Sequence, residues 1–130
     1  MTDRKLLERA AAAMSNAYAP YSRFTVGAAL ECADGSVFTG CNVENSALGC
    51  TLCAETVAVG NAVSHGHTDF IRIGVYTEGT AYCFPCGECR QILAEFAPNL
   101  EILCARGDGR YVSYKLGDML PSPFSRDQMV

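Results

Sequence analysis

The sequence is short of charge. Asp, Glu, Lys and Arg make up 18% of its 130 residues, and the formal net charge is -4. Its ten Lys and Arg residues form no run, which argues against a phosphate-tracking groove for RNA or DNA and against a surface built for anionic membranes. No apolar stretch is long enough to cross a bilayer. The opening MTDRKLLERAAAAM lacks the apolar core of a secretory signal, so a cytoplasmic location is expected. Repeats, linkers and low-complexity segments are also missing. Residues 1–130 are therefore expected to form a single domain, large enough to bury roughly two thirds of its unfolded surface without disulfide staples. Nearly half the chain, 49%, is apolar, which suits a compact fold with surface to spare for an oligomer.

Sulfur is what the chain has in quantity. Eight cysteines in a cytoplasmic sequence point to metal binding before disulfides. The two histidines, His65 and His67, follow the end of an expected helix, where a C-terminal cation is favoured, and neither is read as a ligand.

The hydrophobic pattern gives the frame. Thr2 or Asp3 caps a first helix whose buried stripe is Leu6, Leu7, Ala10, Ala11, Met14 and Tyr18, with Pro20 ending it. Residues 24–32 and 36–43 read as strands joined by a hairpin at Asp34-Gly35. CAETVAVGNAVS, from Cys53, is helical and apolar nearly all round; FIRIGVYT, from 70 to 77, is a strand. CGECRQILAEFA, from Cys86 to Ala97, is a helix bounded by Pro85 and Pro98. Two further strands, 100–106 and 110–116, flank Gly107-Asp108-Gly109, and LGDML is a last helical turn. A hairpin followed by strand–helix alternation predicts an α/β fold, a three-layer α/β/α sandwich on a mixed sheet of about five strands.

The chemistry lies in Cys53-Ala54-Glu55 and Pro85-Cys86-Gly87-Glu88-Cys89. Cys86 and Cys89 share one face of a helix start, and Cys53 opens another helix. Three thiolates hold a zinc ion and leave its fourth tetrahedral position open, as a catalytic site requires. Both sets of thiols sit at helix N-termini, whose partial positive charge favours thiolate over thiol. Glu55 is then placed as a proton carrier beside a metal that acidifies water. Two other arrangements compete: a closed four-thiolate site using Cys50-x-x-Cys53 with Cys86-x-x-Cys89, and a redox-active Cys86-x-x-Cys89. Both leave Glu55 without a task. Glu88 reads as a first-turn acid facing the helix dipole. Cys32, Cys41, Cys83 and Cys104 read as small buried hydrophobes of apolar strands.

YAPYSRFTVGAAL (18–30), GCNVENSA (40–47), CAE (53–55), PCGECRQ (85–91) and MLPSPF (119–124) together resemble the small homotetrameric zinc-dependent cytidine deaminases, in order and along almost the whole chain. The resemblance implies one zinc per chain on Cys53, Cys86 and Cys89, with Glu55 as the catalytic proton shuttle. It implies a pyrimidine nucleoside as substrate: Asn42 and Glu44 on the ribose, Phe24 beside the base, and the backbones of Ala54 and Cys86 reading the pyrimidine edge. It also implies a homotetramer with shared active sites, in which Phe124 serves a neighbouring subunit. The expected reaction is deamination of cytidine and 2'-deoxycytidine; a modified cytosine or antibiotic nucleoside as substrate, and a non-enzymatic zinc-binding module, are the alternatives. Two positions depart from the family pattern. Thr56 stands where many members carry an arginine, and Leu48 where an aromatic is frequent.

Overall fold

A computed structural model describes residues 1–129 of the chain. Its elements, in order, are α1 (Asp3–Met14), β1 (Val26–Cys32), β2 (Val37–Cys41), α2 (Ala54–Ser64), β3 (Phe70–Thr77), α3 (Gly87–Phe96), β4 (Glu101–Ala105), β5 (Tyr111–Lys115) and a short α4 (Leu116–Met119). Single 3-10 turns at Leu48–Cys50 and Arg126–Met129 complete it. The strands form one mixed sheet in the order β2-β1-β3-β4-β5. Only β3 and β4 run parallel, with α3 crossing between them; the other neighbours are antiparallel.

The sheet is covered on both faces, as every residue of β1 being buried requires. Side chains alternate along each strand. Ala29, Leu103 and Ala105 meet Leu6, Leu7 and Ala10 of α1 on one face. Ala28, Leu30, Ile73, Val75, Ile102 and Cys104 meet α2 and α3 on the other, through Ala58, Val59, Ala62 and Leu93. The three layers expected from the sequence are present. Gly40 brings α2 down onto β2: a Cβ there would run into the backbone of Ala54 and Ala58. This close approach fixes where the N-terminus of α2, with Cys53 before it, stands against the sheet.

Thr2 is the N-cap of α1, accepting from the Lys5 N–H at 3.2 Å. The helix ends earlier than expected, at Met14, not at Pro20. Ser15 Oγ donates back to the Ala12 carbonyl at 2.6 Å, and Asn16 and Ala17 close i→i-3 turns that unwind the helix. Tyr18 consequently leaves the buried stripe and is 56% exposed. Its backbone pairs with Val43 instead, through Tyr18 N to Asn42 O at 2.9 Å and Glu44 N to Tyr18 O at 2.8 Å. The hairpin forms around Asp34-Gly35 as expected, with Gly35 at φ +90 and the Ser36 N–H on Asp34 Oδ1 at 2.9 Å. Its strands are shorter than the apolar runs, because the Asn42 side chain takes over backbone groups at the open end.

Candidate metal centre and active site

Cys53 and Cys86 are the N-cap residues of α2 and α3, in extended backbone, and neither thiol is used to cap its own helix. Both sulfurs are left for another partner. Cys89, in the first turn of α3, is buried. The Cys53 and Cys86 sulfurs lie 4.0 Å apart and those of Cys86 and Cys89 3.5 Å apart. A tetrahedral zinc with Zn–S bonds of about 2.3 Å sets its sulfurs about 3.8 Å from one another. The three thiols therefore fit the ion, and they are the one cluster of His, Cys, Asp or Glu side chains among the described residues placed to hold a metal. Cys50 is outside it, exposed in its 3-10 turn, so the four-thiolate arrangement does not form. All eight cysteines are unpaired.

The helix N-termini expected to favour thiolate stand where the sequence put them, but burial works against ionisation of two of the sulfurs. Burial pushes the Cys53 thiol up to about 11, and Cys89 is raised further, again chiefly by burial. Desolvation thus disfavours the thiolates of Cys53 and Cys89, a cost that a bound cation would offset. The one side chain that pulls Cys89 the other way is Thr56, whose hydroxyl lies 3.7 Å from its sulfur.

Thr56→Val removes the hydroxyl at nearly constant volume, lets the Cys89 thiol rise and should weaken zinc binding by roughly tenfold. The deficit is expressed in full below the thiol titration range and fades as pH rises through it, because the proton then no longer competes. Competition with a chromophoric chelator at low and high pH measures it; equal affinities for both proteins at low pH would remove Thr56 from the site.

Glu55 is in the first turn of α2 and only 5% exposed. Burial is the main reason its carboxyl is raised above the usual range. It lines a cavity of about 200 Å³ together with Cys53, Cys86, Ala54, Asn42 and Phe24. Six of the residues singled out from the sequence therefore meet in one place, at the sheet end marked by the Val26–Thr77 pair.

Asn42 and Glu44 are also committed to holding the segment that presents Phe24. The Asn42 amide donates to the Phe24 carbonyl at 2.8 Å and accepts from the Val26 N–H at 2.9 Å. Glu44 accepts from the N–H groups of Tyr21 and Ser22 at 2.9 and 3.1 Å and from the Ser22 hydroxyl, contacts that hold its carboxyl below the usual range, the hydroxyl most of all. Between them Arg23 adopts φ +59, an uncommon conformation for a side chain of its size. Glu44 itself is not part of the cavity wall. Nor is Phe124, whose peptide is bracketed by the Gln91 amide at 2.7 and 3.1 Å and whose ring is 60% exposed. Leu48 is exposed in its 3-10 turn, away from the lining.

Cys83 and Phe84, given no role by the sequence, also line the cavity, as does Thr51. Cys83 is not the fully buried filler expected of it, and Cys41 too is only half-buried, whereas Cys32 and Cys104 are buried. Both histidines have other partners. His67 lies 3.0 Å from Asp34 and His65 2.8 Å from the Asn61 carbonyl.

Two helix N-termini that gather three thiols, two of them sharing a cavity with a buried carboxylate at a sheet end, define a zinc-binding enzyme of the α/β class. The chain belongs to the family described as Cytidine and deoxycytidylate deaminase zinc-binding region, which it matches over residues 1–104. It is 38% identical over 130 residues to the cytidine deaminase of Halalkalibacterium halodurans, covering 99% of this chain and 98% of that one. With the cytidine deaminase of Mycobacterium tuberculosis it shares 42% identity over 117 residues, 90% of this chain and 85% of the other. The crystal structure of the cytidine deaminase from Burkholderia pseudomallei superposes with a TM-score of 0.92 at 44% identity, covering 95% of this chain and all of that one.

Proposed function

We propose that the chain is a zinc-dependent cytidine deaminase, converting cytidine and 2'-deoxycytidine with water into the uridine nucleosides and ammonia. The observation that carries this reading is that two members of the Cys53–Cys86–Cys89 cluster, Cys53 and Cys86, share one cavity with buried Glu55, and that Phe24 and Asn42 are also on its wall. Cys53, Cys86 and Cys89 would hold the zinc, which when bound would supply a Lewis acid that lets water ionise near neutral pH. Glu55 would accept one proton from the attacking water and deliver it to N3 as the oxygen bonds to C4; it would then take the remaining proton from the C4 hydroxyl and pass it to the amine, so that the C4–N bond breaks, ammonia leaves and C4 keeps a carbonyl. A carboxyl raised by burial suits the proton-accepting half of that task, since it binds a proton more readily than an exposed one. Phe24 stacks on the flat base. Ala54 and Cys86 present backbone groups to its edge, and Asn42, with one amide hydrogen and one oxygen lone pair still to offer, binds the ribose. Glu44 joins Asn42 on the ribose while anchoring the Tyr21–Ser22 segment that leads to Phe24.

The substrate is taken as the free nucleoside, in pyrimidine salvage: a net charge of -4 without a basic run offers nothing to a polynucleotide. Unpaired cysteines fit a reducing cytoplasm, and no helix among the described residues is long and apolar enough to cross a membrane. Ammonia release from cytidine, 2'-deoxycytidine, cytosine and cytidine monophosphate tests the reading. Turnover of the two nucleosides well above the free base and the nucleotide is expected; no ammonia from any of them by the zinc-loaded protein would overturn it.

The active form is a homotetramer whose sites are shared, with the exposed Phe124 ring covering a neighbour's cavity. Its own cavity does not include it, and the Gln91 clamp holds it outward on α3. Phe124→Ala and Glu55→Gln chains, each poorly active alone, should recover activity when exchanged into mixed oligomers, because some sites then take an intact half from each. Absence of recovery after verified exchange would contradict the shared site.

A further inference from the structure

Phe84 stands on the cavity wall two residues before Cys86, and 42% of it is exposed although the ring is large and apolar. Its setting is rigid. Pro85, between it and the metal cluster, is fully buried, and its carbonyl accepts from Arg90 Nε at 2.8 Å. On the other side of the loop, Arg106 donates to the Thr80 carbonyl at 3.4 Å and lies over the Tyr82 ring at 4.9 Å. Gly107 N adds a bond to the Gly79 carbonyl at 3.0 Å. The Phe84 ring itself rests edge-on against Tyr114 of β5, with centroids 5.4 Å apart and planes at 81°. A ring this well backed cannot swing aside cheaply, since leaving the pair forfeits the aromatic contact.

Resting on the deaminase reading, we propose that Phe84, backed by Tyr114, is a specificity-determining residue that closes the space beside C5 of the base. The reacting carbon, C4, has two ring neighbours, N3 and C5. Glu55 serves N3, so the C5 edge faces away from it, and of the lining residues without another task, Val26, Thr51, Cys83 and Phe84, the two on the chain segment that leads into Cys86 are Cys83 and Phe84. An unsubstituted C5–H packs against that wall; a methyl or bromine at C5 collides with it, and Pro85 and Tyr114 prevent the ring from yielding. Tyr114 acts through Phe84 and is a positioning residue.

The test is the ratio of kcat/KM for 5-methylcytidine and for 5-bromocytidine to that for cytidine, on zinc-loaded protein. The wild type should favour cytidine, and Phe84→Ala should raise both ratios by roughly tenfold, the order expected when one methyl-sized obstruction in a pocket is relieved. Phe84→Leu should raise them less, which keeps the test open if the alanine variant folds poorly. Tyr114→Leu, behind Phe84 and not itself on the cavity lining, should also raise them by freeing the ring. A merely structural role lowers turnover of all three nucleosides together and leaves the ratios alone. Ratios within about twofold of wild type in a zinc-loaded Phe84 variant would overturn the assignment, including the case in which that variant changes oligomeric state and nothing else. A wild type active on cytidine with unmoved ratios sinks this inference only; a wild type inactive on all three sinks the deaminase reading and this inference with it.

Discussion

Glu55→Gln should leave a folded chain that binds zinc normally and turns over roughly a thousandfold more slowly, since positioned proton transfer contributes about 10²–10⁴ in rate. The amide has nearly the shape of the carboxylate and retains an acceptor oxygen, so the buried position tolerates it. It cannot take up a proton and return it. Burial also makes the exchange gentle on the fold: the raised carboxyl shows that the charged form is disfavoured where Glu55 sits, and a neutral side chain relieves that cost. Circular dichroism and metal content control for fold and loading. A zinc-loaded variant within tenfold of wild-type turnover would remove Glu55 from the mechanism.

The second large effect is expected at Cys89. Its sulfur is buried and touches Cys86 at 3.5 Å. Replacement by serine substitutes a hydroxyl whose proton is far harder to lose, so the cluster falls to two thiolates and the ion is no longer held against competition from a chelator. Cys89→Ser should therefore purify without zinc and without activity. Cys50→Ser, by contrast, should retain both, because Cys50 is exposed and outside the cluster. Zinc per chain after gel filtration reads the difference. Equal loss of zinc from the two variants would restore the closed four-thiolate site and end the catalytic reading.

Much of this was legible from local pattern because the signals were local. β3 runs from Phe70 to Thr77, where the apolar run FIRIGVYT ends on each side, and α3 lies just inside Pro85 and Pro98. The metal cluster was legible for a related reason: Cys86 and Cys89 are one turn apart, and the third thiol precedes a helix that the same sheet supports. What pattern missed depended on distant partners. The stripe of α1 continues on paper to Tyr18, yet Tyr18 belongs to Val43, and no periodicity in residues 3–20 announces that pairing. Phe84 reads as a stray aromatic in a loop until β5 brings Tyr114 beneath it. The helix dipole at Cys53 and Cys86 can be inferred from position, whereas the depth of burial that raises the Cys53 and Cys89 thiols is set by the whole fold. Glu44 shows a further limit: its hold on Tyr21 and Ser22 links residues more than twenty positions apart and gives it a scaffolding task beside any contact with substrate.

The central claim is that three thiolates of one chain hold one zinc ion on which turnover depends. The most direct measurement is to strip the metal, add zinc back in known increments, and follow uridine formation from cytidine in the same sample. Activity should rise linearly and break at one zinc per chain, with protons released as each ion enters, because Cys53 and Cys89 are protonated at neutral pH until the metal displaces their protons. Full activity in the stripped protein, or an activity that does not follow zinc content at all, would contradict the account.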